Sequence, residues 1–229
     1  MFVACSPKYS CRRLSGDMQT IEVIKVILSY LLGSVVGGLV VGRLRGGVDI
    51  RRLGSGNAGG TNALRTQGKA FAFWVMLIDI GKGWLATRVV APFHSTEPYG
   101  WLAAACGIAV ILGHVYPLWY GFRGGKGVAT LVGAALGLDL WLLLPMLATW
   151  LVAVILFGFV GLASMLGALA LAVAGAVGPW VPRAPLVTFG VLSAILIAFT
   201  HRSNIARMRA GTEPRARRLW MLGLRRRSA

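Results

Sequence analysis

From position 127 to position 182 the chain reads GVATLVGAALGLDLWLLLPMLATWLVAVILFGFVGLASMLGALALAVAGAVGPWVP, and Asp139 is the only ionisable side chain in this stretch. A helix that crosses the hydrocarbon core of a bilayer needs about 20 mostly apolar residues. The stretch therefore holds at least two membrane-spanning helices, and three if they are shorter. Only 14% of the whole chain is charged, whereas about 25% of a typical soluble domain is charged. These patterns predict an all-α polytopic membrane protein.

The other apolar runs extend this interpretation along the chain. Together they predict about seven transmembrane helices, some of them short, at residues 21–41, 70–90, 101–119, 128–140, 141–159, 166–180 and 186–200. Glycine-rich cytoplasmic loops join several of them, and the small residues GLASM (161–165) predict a turn. We expect three regions: a polar, irregular leader (1–19), a membrane domain (20–201) and a basic C-terminal tail (202–229). Met18 directly precedes the first apolar run, so Met1 and Met18 are both candidate starts.

The positive charge is concentrated in loops. The formal net charge is +17, but the basic residues cluster at 43–69, 123–126 and 202–227 instead of covering one folded surface. Short basic segments between apolar spans are typical of the cytoplasmic side of a membrane. We therefore expect the N-terminus outside and all three clusters on the cytoplasmic face, where the tail can contact anionic lipid headgroups. This distribution argues against nucleic acid as a partner.

Three polar segments on that face predict a phosphate site. They are GSGNAGGTNALR (54–65), GH (113–114) together with FRGGKGVAT (122–130), and the segment 201–213. Each combines glycines, hydroxyl or amide donors and a fixed cation. Backbone N–H groups freed by glycine can surround an anion, a following helix N-terminus adds partial positive charge, and arginine binds phosphate oxygens in a fork. GGKG (124–127), directly before an apolar helix, fits this pattern most closely.

Other kinds of site are not supported by the sequence. GSGNAG (54–59) matches GxGxxG without a surrounding βαβ unit, and GFRGGKG (121–127) lacks the Ser or Thr that a Walker A loop requires. Cys5, Cys11 and Cys106 form no CxxC pair, and the three histidines are far apart. We therefore expect neither a metal site nor a cofactor. A transporter of phosphorylated metabolites remains the main alternative, although such proteins usually hold their polar site near the bilayer midplane and often contain an internal repeat.

Three segments of this chain are GSGNAGGTNALRTQGK (54–69), GHVYPLWYGFRGGKGVAT (113–130) and HRSNIARMRAGTEPR (201–215). In sequence, order and spacing they resemble the three cytoplasmic motifs of the bacterial acyl-phosphate:glycerol-3-phosphate acyltransferase family. The resemblance implies an enzyme of the bacterial inner (cytoplasmic) membrane. It would transfer an acyl group from acyl phosphate to the 1-hydroxyl of sn-glycerol 3-phosphate. The products would be 1-acylglycerol 3-phosphate (lysophosphatidate) and phosphate, in the first acylation of phospholipid biosynthesis. The implied partners are both substrates and membrane lipids, with a monomer as the default oligomeric state.

The resemblance also implies roles for individual residues. Four are expected to be catalytic: Ser55, Arg65, His114 and Lys126. Substrate binding is expected from Gly56, Asn57, Thr61, Asn62, Gly124, Gly125, Gly127, Ser164, His201 and Asn204. The chain departs from the family pattern at Ala58, Gly60 and Gly161, where Pro, Ala and Ser are usual, and Ser164 is expected to serve in place of the missing Ser.

The chemistry of such a transfer leaves one role open. Acyl phosphate already carries a good leaving group, so the protein has to bring two anions together and stabilise the oxyanion at the carbonyl. The hydroxyl proton can go to His114 or to the leaving phosphate, and we favour the phosphate. Asp79 and Lys82, three residues apart within a span, are expected to form a structural ion pair that braces the loops. The acyl-chain preference stays open.

Overall fold

The computed structural model describes residues 7–93, 100–180, 183–216 and 219–220 of the chain. Residues 1–6 of the predicted leader, including Met1, and residues 217–218 and 221–229 of the predicted tail lie outside these ranges. The described residues form α1 (Pro7–Gly33), α2 (Gly37–Leu44), α3 (Gly60–Gln67), α4 (Lys69–Leu85), α5 (Trp101–Val115), α6 (Val128–Leu138), α7 (Leu140–Phe157), α8 (Val160–Val177), α9 (Arg183–Thr200) and α10 (Arg202–Arg209). A π-helical turn (Ala86–Val90) extends α4, and short 3-10 turns (Ile50–Arg52 and Leu118–Tyr120) lie in the loops.

The prediction of an all-α membrane protein with about seven transmembrane segments is confirmed. Among the described residues, five segments are long and apolar enough to cross a bilayer: Lys69–Val90, Trp101–Tyr120, Leu140–Phe157, Val160–Val177 and Arg183–Thr200. Residues Gln19–Gly33 of α1 and α2 (Gly37–Leu44) are long and apolar enough when taken together, with a bend of 49° between them, and as one broken span they make the sixth. Helix α6 is the seventh segment, and its 11 residues reach only part of the way across, since an α-helix rises about 1.5 Å per residue.

Apolar side chains cover the outside of the bundle as well as its core. The exposed apolar face of α7 includes Leu140, Trp141, Leu144, Leu147 and Leu151. Residues three and four apart share one helix face, so these side chains form a continuous apolar stripe that suits hydrocarbon. Inside the bundle, α1 and α5 cross closely at Gly33 and Gly113, where a Cβ atom on either glycine would collide with the backbone of the other helix. Small residues at helix crossings are typical of membrane proteins.

Asp139 has a structural role that explains its place in an otherwise apolar stretch. Its side chain accepts a hydrogen bond from the backbone N–H of Trp141 at 2.8 Å and caps the start of α7. The indole N–H of Trp180 donates to the same carboxylate at 2.9 Å. A helix start leaves backbone N–H groups without partners in the helix. At the junction of α6 and α7 the Asp139 carboxylate accepts the hydrogen bond that water would accept outside a membrane.

Two local predictions are wrong. Residues 161–165 do not form a turn, because α8 begins at Val160 and the chain reverses at Gly158, whose φ is 76°. Glycine adopts this left-handed conformation easily at a helix end, and small residues inside a membrane helix permit close packing. The predicted leader is not irregular over its described part either, since α1 already begins at Pro7. Proline is readily accommodated in the first turn of a helix.

Candidate active site

The three polar segments meet around one cavity at one end of the bundle. Its volume is about 250 Å³. The first segment contributes Ser55, Gly56 and Asn57, the second contributes Arg123 to Lys126, and the third contributes Arg202 and Ser203. Val115, Tyr116 and Thr200, which lie next to the second and third segments, complete the described lining. Six of the predicted site residues therefore line this cavity: Ser55, Gly56, Asn57, Gly124, Gly125 and Lys126. The cations Arg123, Lys126 and Arg202 make the cavity suitable for anions.

Asn62 shapes the first loop. Its Nδ2 lies 2.9 to 3.0 Å from the carbonyl oxygens of Ile50, Leu53 and Asn57, which share its two hydrogens. Its Oδ1 accepts a hydrogen bond from the backbone N–H of Ser55 at 2.9 Å. The side chain is buried and all of its polar atoms have partners. Asn62 therefore holds the loop that presents Ser55, and the predicted substrate contact of Asn62 stays a prediction.

Thr61 and Arg65 lie on α3 next to this loop. Both side chains are exposed, and neither is among the described residues that line the cavity. Helix α3 begins at Gly60, directly after the loop, which places its N-terminal end close to the cavity. The predicted roles of Thr61 and Arg65 stay predictions.

Arg51, which the sequence analysis did not single out, ties the first loop to the second. Its Nη1 donates to the carbonyl oxygens of Tyr120 at 3.1 Å and Arg123 at 2.8 Å. Its Nη2 lies 2.9 Å from Oδ2 of Asp49. The hydrogen bond to Arg51 holds the pKa of Asp49 below its usual range, and the same bond raises the pKa of Arg51. An Asp and an Arg two residues apart are common in sequences, so no distinctive pattern marks this link.

A buried cluster of Asp79, Lys82 and His114 lies behind the second loop. Oδ1 of Asp79 is 3.0 Å from Nζ of Lys82 and 3.3 Å from Nδ1 of His114. Nζ of Lys82 also lies 2.9 Å from Nδ1 of His114. The predicted structural ion pair between Asp79 and Lys82 is present, and His114 extends it towards the loop. Oδ2 of Asp79 is buried and has no hydrogen-bond partner among the described residues.

The second loop uses part of its backbone to hold itself against His114. The N–H of Gly124 donates to the carbonyl oxygen of Val115, and the N–H of Gly125 donates to that of His114, both at 3.1 Å. These two amides are therefore engaged and do not serve as the predicted anion donors. A Cβ atom on Gly125 would collide with Nε2 of His114, so the imidazole packs directly behind this glycine. Besides the cations Arg123 and Lys126, the loop attracts anions through the start of α6 after Gly127, whose φ is 87°.

Lys126 belongs to a network that joins the second and third segments. Its Nζ donates to Oδ1 of Asn204, and Nδ2 of Asn204 donates to Oε1 of Glu213 at 2.5 Å. Nε of Arg207 lies 2.6 Å from Oε2 of Glu213. Burial, with the nearby charge of Arg207 second, lowers the pKa of Lys126 to about 8. Glu213 and Arg207 were not among the predicted site residues, although both lie in the third motif.

His201 lies beneath this network at the end of α9. It is buried, and its Nδ1 is 2.8 Å from the carbonyl oxygen of Ile197. Burial, with the charge of Lys126 second, lowers the pKa of His201 to about 4. The ring is therefore neutral near pH 7. Because a carbonyl only accepts, Nδ1 carries the hydrogen and Nε2 is left as an acceptor. The neighbouring Thr200 donates to the carbonyl oxygen of Lys126 at 3.0 Å and joins α9 to the second loop.

Ser164 does not line the described cavity, and its expected role in place of the missing Ser at position 161 stays a prediction. Its Oγ donates to the carbonyl oxygen of Val160 at 2.9 Å within α8, and the residue is buried away from the described cavity lining. Gly161 instead faces Asn204: a Cβ atom at this position would lie 2.9 to 3.0 Å from the Asn204 side chain. The small residue lets Asn204 pack against the start of α8. Among the described residues, no group of three His, Cys, Asp or Glu side chains is placed to hold a metal ion.

Comparison with known proteins gives consistent matches. The family model described as glycerol-3-phosphate acyltransferase matches residues 23–211. A glycerol-3-phosphate acyltransferase of Coxiella burnetii (strain CbuG_Q212) is 37% identical over 195 residues, which is 85% of this chain and 98% of that protein. Crystal structures of PlsY (YgiH), an integral membrane glycerol 3-phosphate acyltransferase, in a glycerol 3-phosphate form and a lysophosphatidic acid form superpose with a TM-score of 0.77. They are 34% and 33% identical and cover 85% of this chain and 94% of their own.

Proposed function

The chain belongs to the glycerol-3-phosphate acyltransferase family, and from this premise we propose that it transfers an acyl group from acyl phosphate to the 1-hydroxyl of sn-glycerol 3-phosphate, releasing lysophosphatidate and phosphate. The observation that carries the proposal is the cavity where all three phosphate-type segments meet. A cavity lined by three cations and several hydroxyl groups suits two phosphorylated substrates bound side by side.

We assign the acceptor to the part of the cavity next to the third segment. Lys126 lines this part and provides a cation. Asn204, which is bonded to Lys126, and the buried His201 lie outside the described lining and provide an amide and a neutral acceptor nitrogen next to it. Such a set suits glycerol 3-phosphate, because a cation can pair with its phosphate while neutral groups accept hydrogen bonds from its hydroxyls. Arg65 stays a candidate second cation for the same substrate.

The donor phosphate is assigned to the opposite wall. Ser55, Gly56 and Asn57 line this wall on a loop that Asn62 holds in place. The start of α6 follows the second loop and carries the partial positive charge of a helix N-terminus. The acyl chain would leave the cavity between helices and enter the hydrocarbon of the bilayer. This arrangement places the carbonyl carbon of the donor between the two phosphate sites.

The proposed reaction needs no covalent intermediate with the protein. The 1-hydroxyl oxygen of the acceptor attacks the carbonyl carbon of acyl phosphate, and the bond between that carbon and the phosphate oxygen breaks. The hydroxyl proton passes to an oxygen of the departing phosphate. This assignment is favoured over His114 because the imidazole is fully buried behind Gly125 and its Nδ1 contacts the Asp79–Lys82 pair. In this account His114 holds the second loop.

The orientation in the membrane follows from charge. The loops at 43–69 and 123–126 and the described part of the tail hold most of the described basic residues, so the positive-inside rule favours the cytoplasmic side for them. The N-terminus then lies outside, and the product enters the inner leaflet of the bacterial cytoplasmic membrane. Membrane lipids are the proposed surroundings, and a single chain supplies the whole cavity, which agrees with a monomer.

The test is an assay of the detergent-purified protein with glycerol 3-phosphate and each of three donors: acyl phosphate, acyl-CoA and acyl-carrier protein. We expect lysophosphatidate and phosphate in equal amounts with acyl phosphate alone. Product from another donor would overturn the donor assignment. If no donor gives product in a folded preparation and proteoliposomes accumulate labelled glycerol 3-phosphate, the alternative of a transporter replaces the enzyme.

A further inference from the structure

A short segment after α10 docks on the turn between α7 and α8. We call the described residues 212–216 and 219–220 the C-terminal strap. The N–H of Ala216 donates to the carbonyl oxygen of Gly158 at 2.8 Å, and the indole N–H of Trp220 donates to that of Leu156 at 3.2 Å. The last carbonyl groups of a helix have no partners within it, so the strap binds the open end of α7.

Arg215 and Trp220 give the strap its side-chain contacts. The guanidinium carbon of Arg215 lies 4.6 Å from the ring centroid of Phe159 and 4.0 Å from that of Trp220. Both distances are within the range of a cation–π interaction. Trp220 also packs on the backbone of the turn, since a Cβ atom on Gly158 would lie 2.9 Å from Cγ of Trp220. Two rings and two hydrogen bonds therefore hold the strap on the turn.

The strap connects this turn to the acceptor side of the cavity. Glu213 lies two residues before Arg215, and its carboxylate accepts hydrogen bonds from Nδ2 of Asn204 and Nε of Arg207. A carboxylate only accepts and an ammonium group only donates. The Asn204 amide therefore has one orientation that serves both neighbours, with Nδ2 towards Glu213 and Oδ1 towards Lys126. The fixed position of Glu213 determines this orientation.

We propose that Arg215 and Trp220 are positioning residues for the acceptor substrate: by holding the strap on the α7–α8 turn they fix Glu213, which orients Asn204 beside Lys126. Both residues lie beyond the segment 23–211 that the family model matches. The inference rests on the proposed function, in which Asn204 and Lys126 bind glycerol 3-phosphate. Among the described residues, the strap makes no hydrogen bond or ring contact with the residues assigned to the donor wall, Ser55, Gly56 and Asn57, so its loss should affect one substrate only.

The test is steady-state kinetics of Trp220→Ala and Arg215→Ala with both substrates varied. We expect the KM for glycerol 3-phosphate to rise about threefold to tenfold, because each variant loses the cation–π contact between the two side chains and Trp220→Ala also loses the hydrogen bond to Leu156. The KM for acyl phosphate and kcat should stay within about twofold. Trp220→Phe, which keeps a ring over Arg215, should recover most of the loss. Trp141→Ala and Arg183→Ala, exposed residues at the other end of the bundle, are the matched controls.

Two further results separate the inference from the function on which it rests. Asn204→Ala should raise the KM for glycerol 3-phosphate more than either strap variant does. If Asn204→Ala has this effect and both strap variants keep the wild-type KM, the positioning role is wrong and the acceptor site stands. If Asn204→Ala leaves the KM unchanged, the acceptor assignment itself fails. Equal rises in both KM values, or a loss of thermal stability in the strap variants, would show a general structural role and overturn the inference.

Discussion

Nζ of Lys82 lies 3.0 Å from Oδ1 of Asp79 at the break in the first membrane span. Lys82 donates to the carbonyl oxygens of Gly33 and Val35, where α1 ends, and Asp79 accepts the N–H of Gly37, where α2 begins. A helix end carries partial negative charge and a helix start carries partial positive charge. The positive Lys82 therefore lies at the negative end of α1, and the negative Asp79 lies at the positive start of α2. Their hydrogen bonds also satisfy backbone groups that would each cost several kcal/mol if left unpaired in hydrocarbon.

Removing one member of this pair should destabilise the protein strongly. Lys82→Met leaves the buried Asp79 carboxylate without its cation, which costs about 3 to 5 kcal/mol in comparable buried pairs. We expect a clear drop in the thermal unfolding temperature in detergent. Lys69→Met, a change of an exposed lysine at the start of the same helix, is the control. Equal unfolding temperatures for the two variants would show that the pair does not hold the break together.

Lys126 should give the reaction an alkaline limit. Its pKa is lowered to about 8, so the free enzyme loses this charge as the pH rises through that value. Because the charged form binds the acceptor phosphate, kcat/KM for glycerol 3-phosphate should fall by about tenfold per pH unit above the pKa. In Lys126→Arg this fall in kcat/KM should begin well above pH 8, since arginine stays protonated. If kcat/KM still begins to fall near pH 8 in this variant, the titrating group is not Lys126.

Gly125 should tolerate no side chain. A Cβ atom there would collide with Nε2 of the buried His114, so the alanine variant must displace either the imidazole or the second loop. Misplacement of reacting groups by about 1 Å can cost about a hundredfold in rate, and we expect at least that loss in kcat for Gly125→Ala. Gly81→Ala, at a helical glycine with open space around its Cβ position, is the control. Wild-type rates in Gly125→Ala would contradict the packing described here.

The assignment of the proton acceptor can be tested at His114. A general base contributes about 10² to 10⁴ in rate. If the departing phosphate accepts the proton, His114→Asn should lower kcat by less than about tenfold and leave the shape of the pH profile unchanged. A fall of about 10³ in kcat with both KM values unchanged would identify His114 as the base.

The sequence predicts the site's location better than its internal connections. Glycines, donors and cations at 54–65, 113–130 and 201–213 predict a shared phosphate site, and the three segments do meet around one cavity. The roles inside the site depend on contacts between residues far apart in the chain. Asn62 holds its own loop, and the amides of Gly124 and Gly125 bind the end of α5. A motif shows which donors exist, but it does not show which of them the fold already uses.

The same limit applies to the fold. Apolar runs predict the spans because each run must cover the hydrocarbon core by itself. The break between α1 and α2 depends on Asp79 and Lys82, more than 40 residues away in the sequence. A continuous apolar run gives no local signal of this break. The start of α8 at Val160 depends in the same way on packing, since Gly161 faces Asn204 from another part of the chain.

The central claim is that one cavity brings acyl phosphate and glycerol 3-phosphate together for direct transfer. The most direct test is to mix the purified protein with acyl phosphate alone at equal concentrations and to follow phosphate release and protein mass. Direct transfer predicts no burst of phosphate and no acylated protein until glycerol 3-phosphate is added, when lysophosphatidate and phosphate appear together. One equivalent of phosphate released before that addition, with a protein mass increased by one acyl group, would contradict the account.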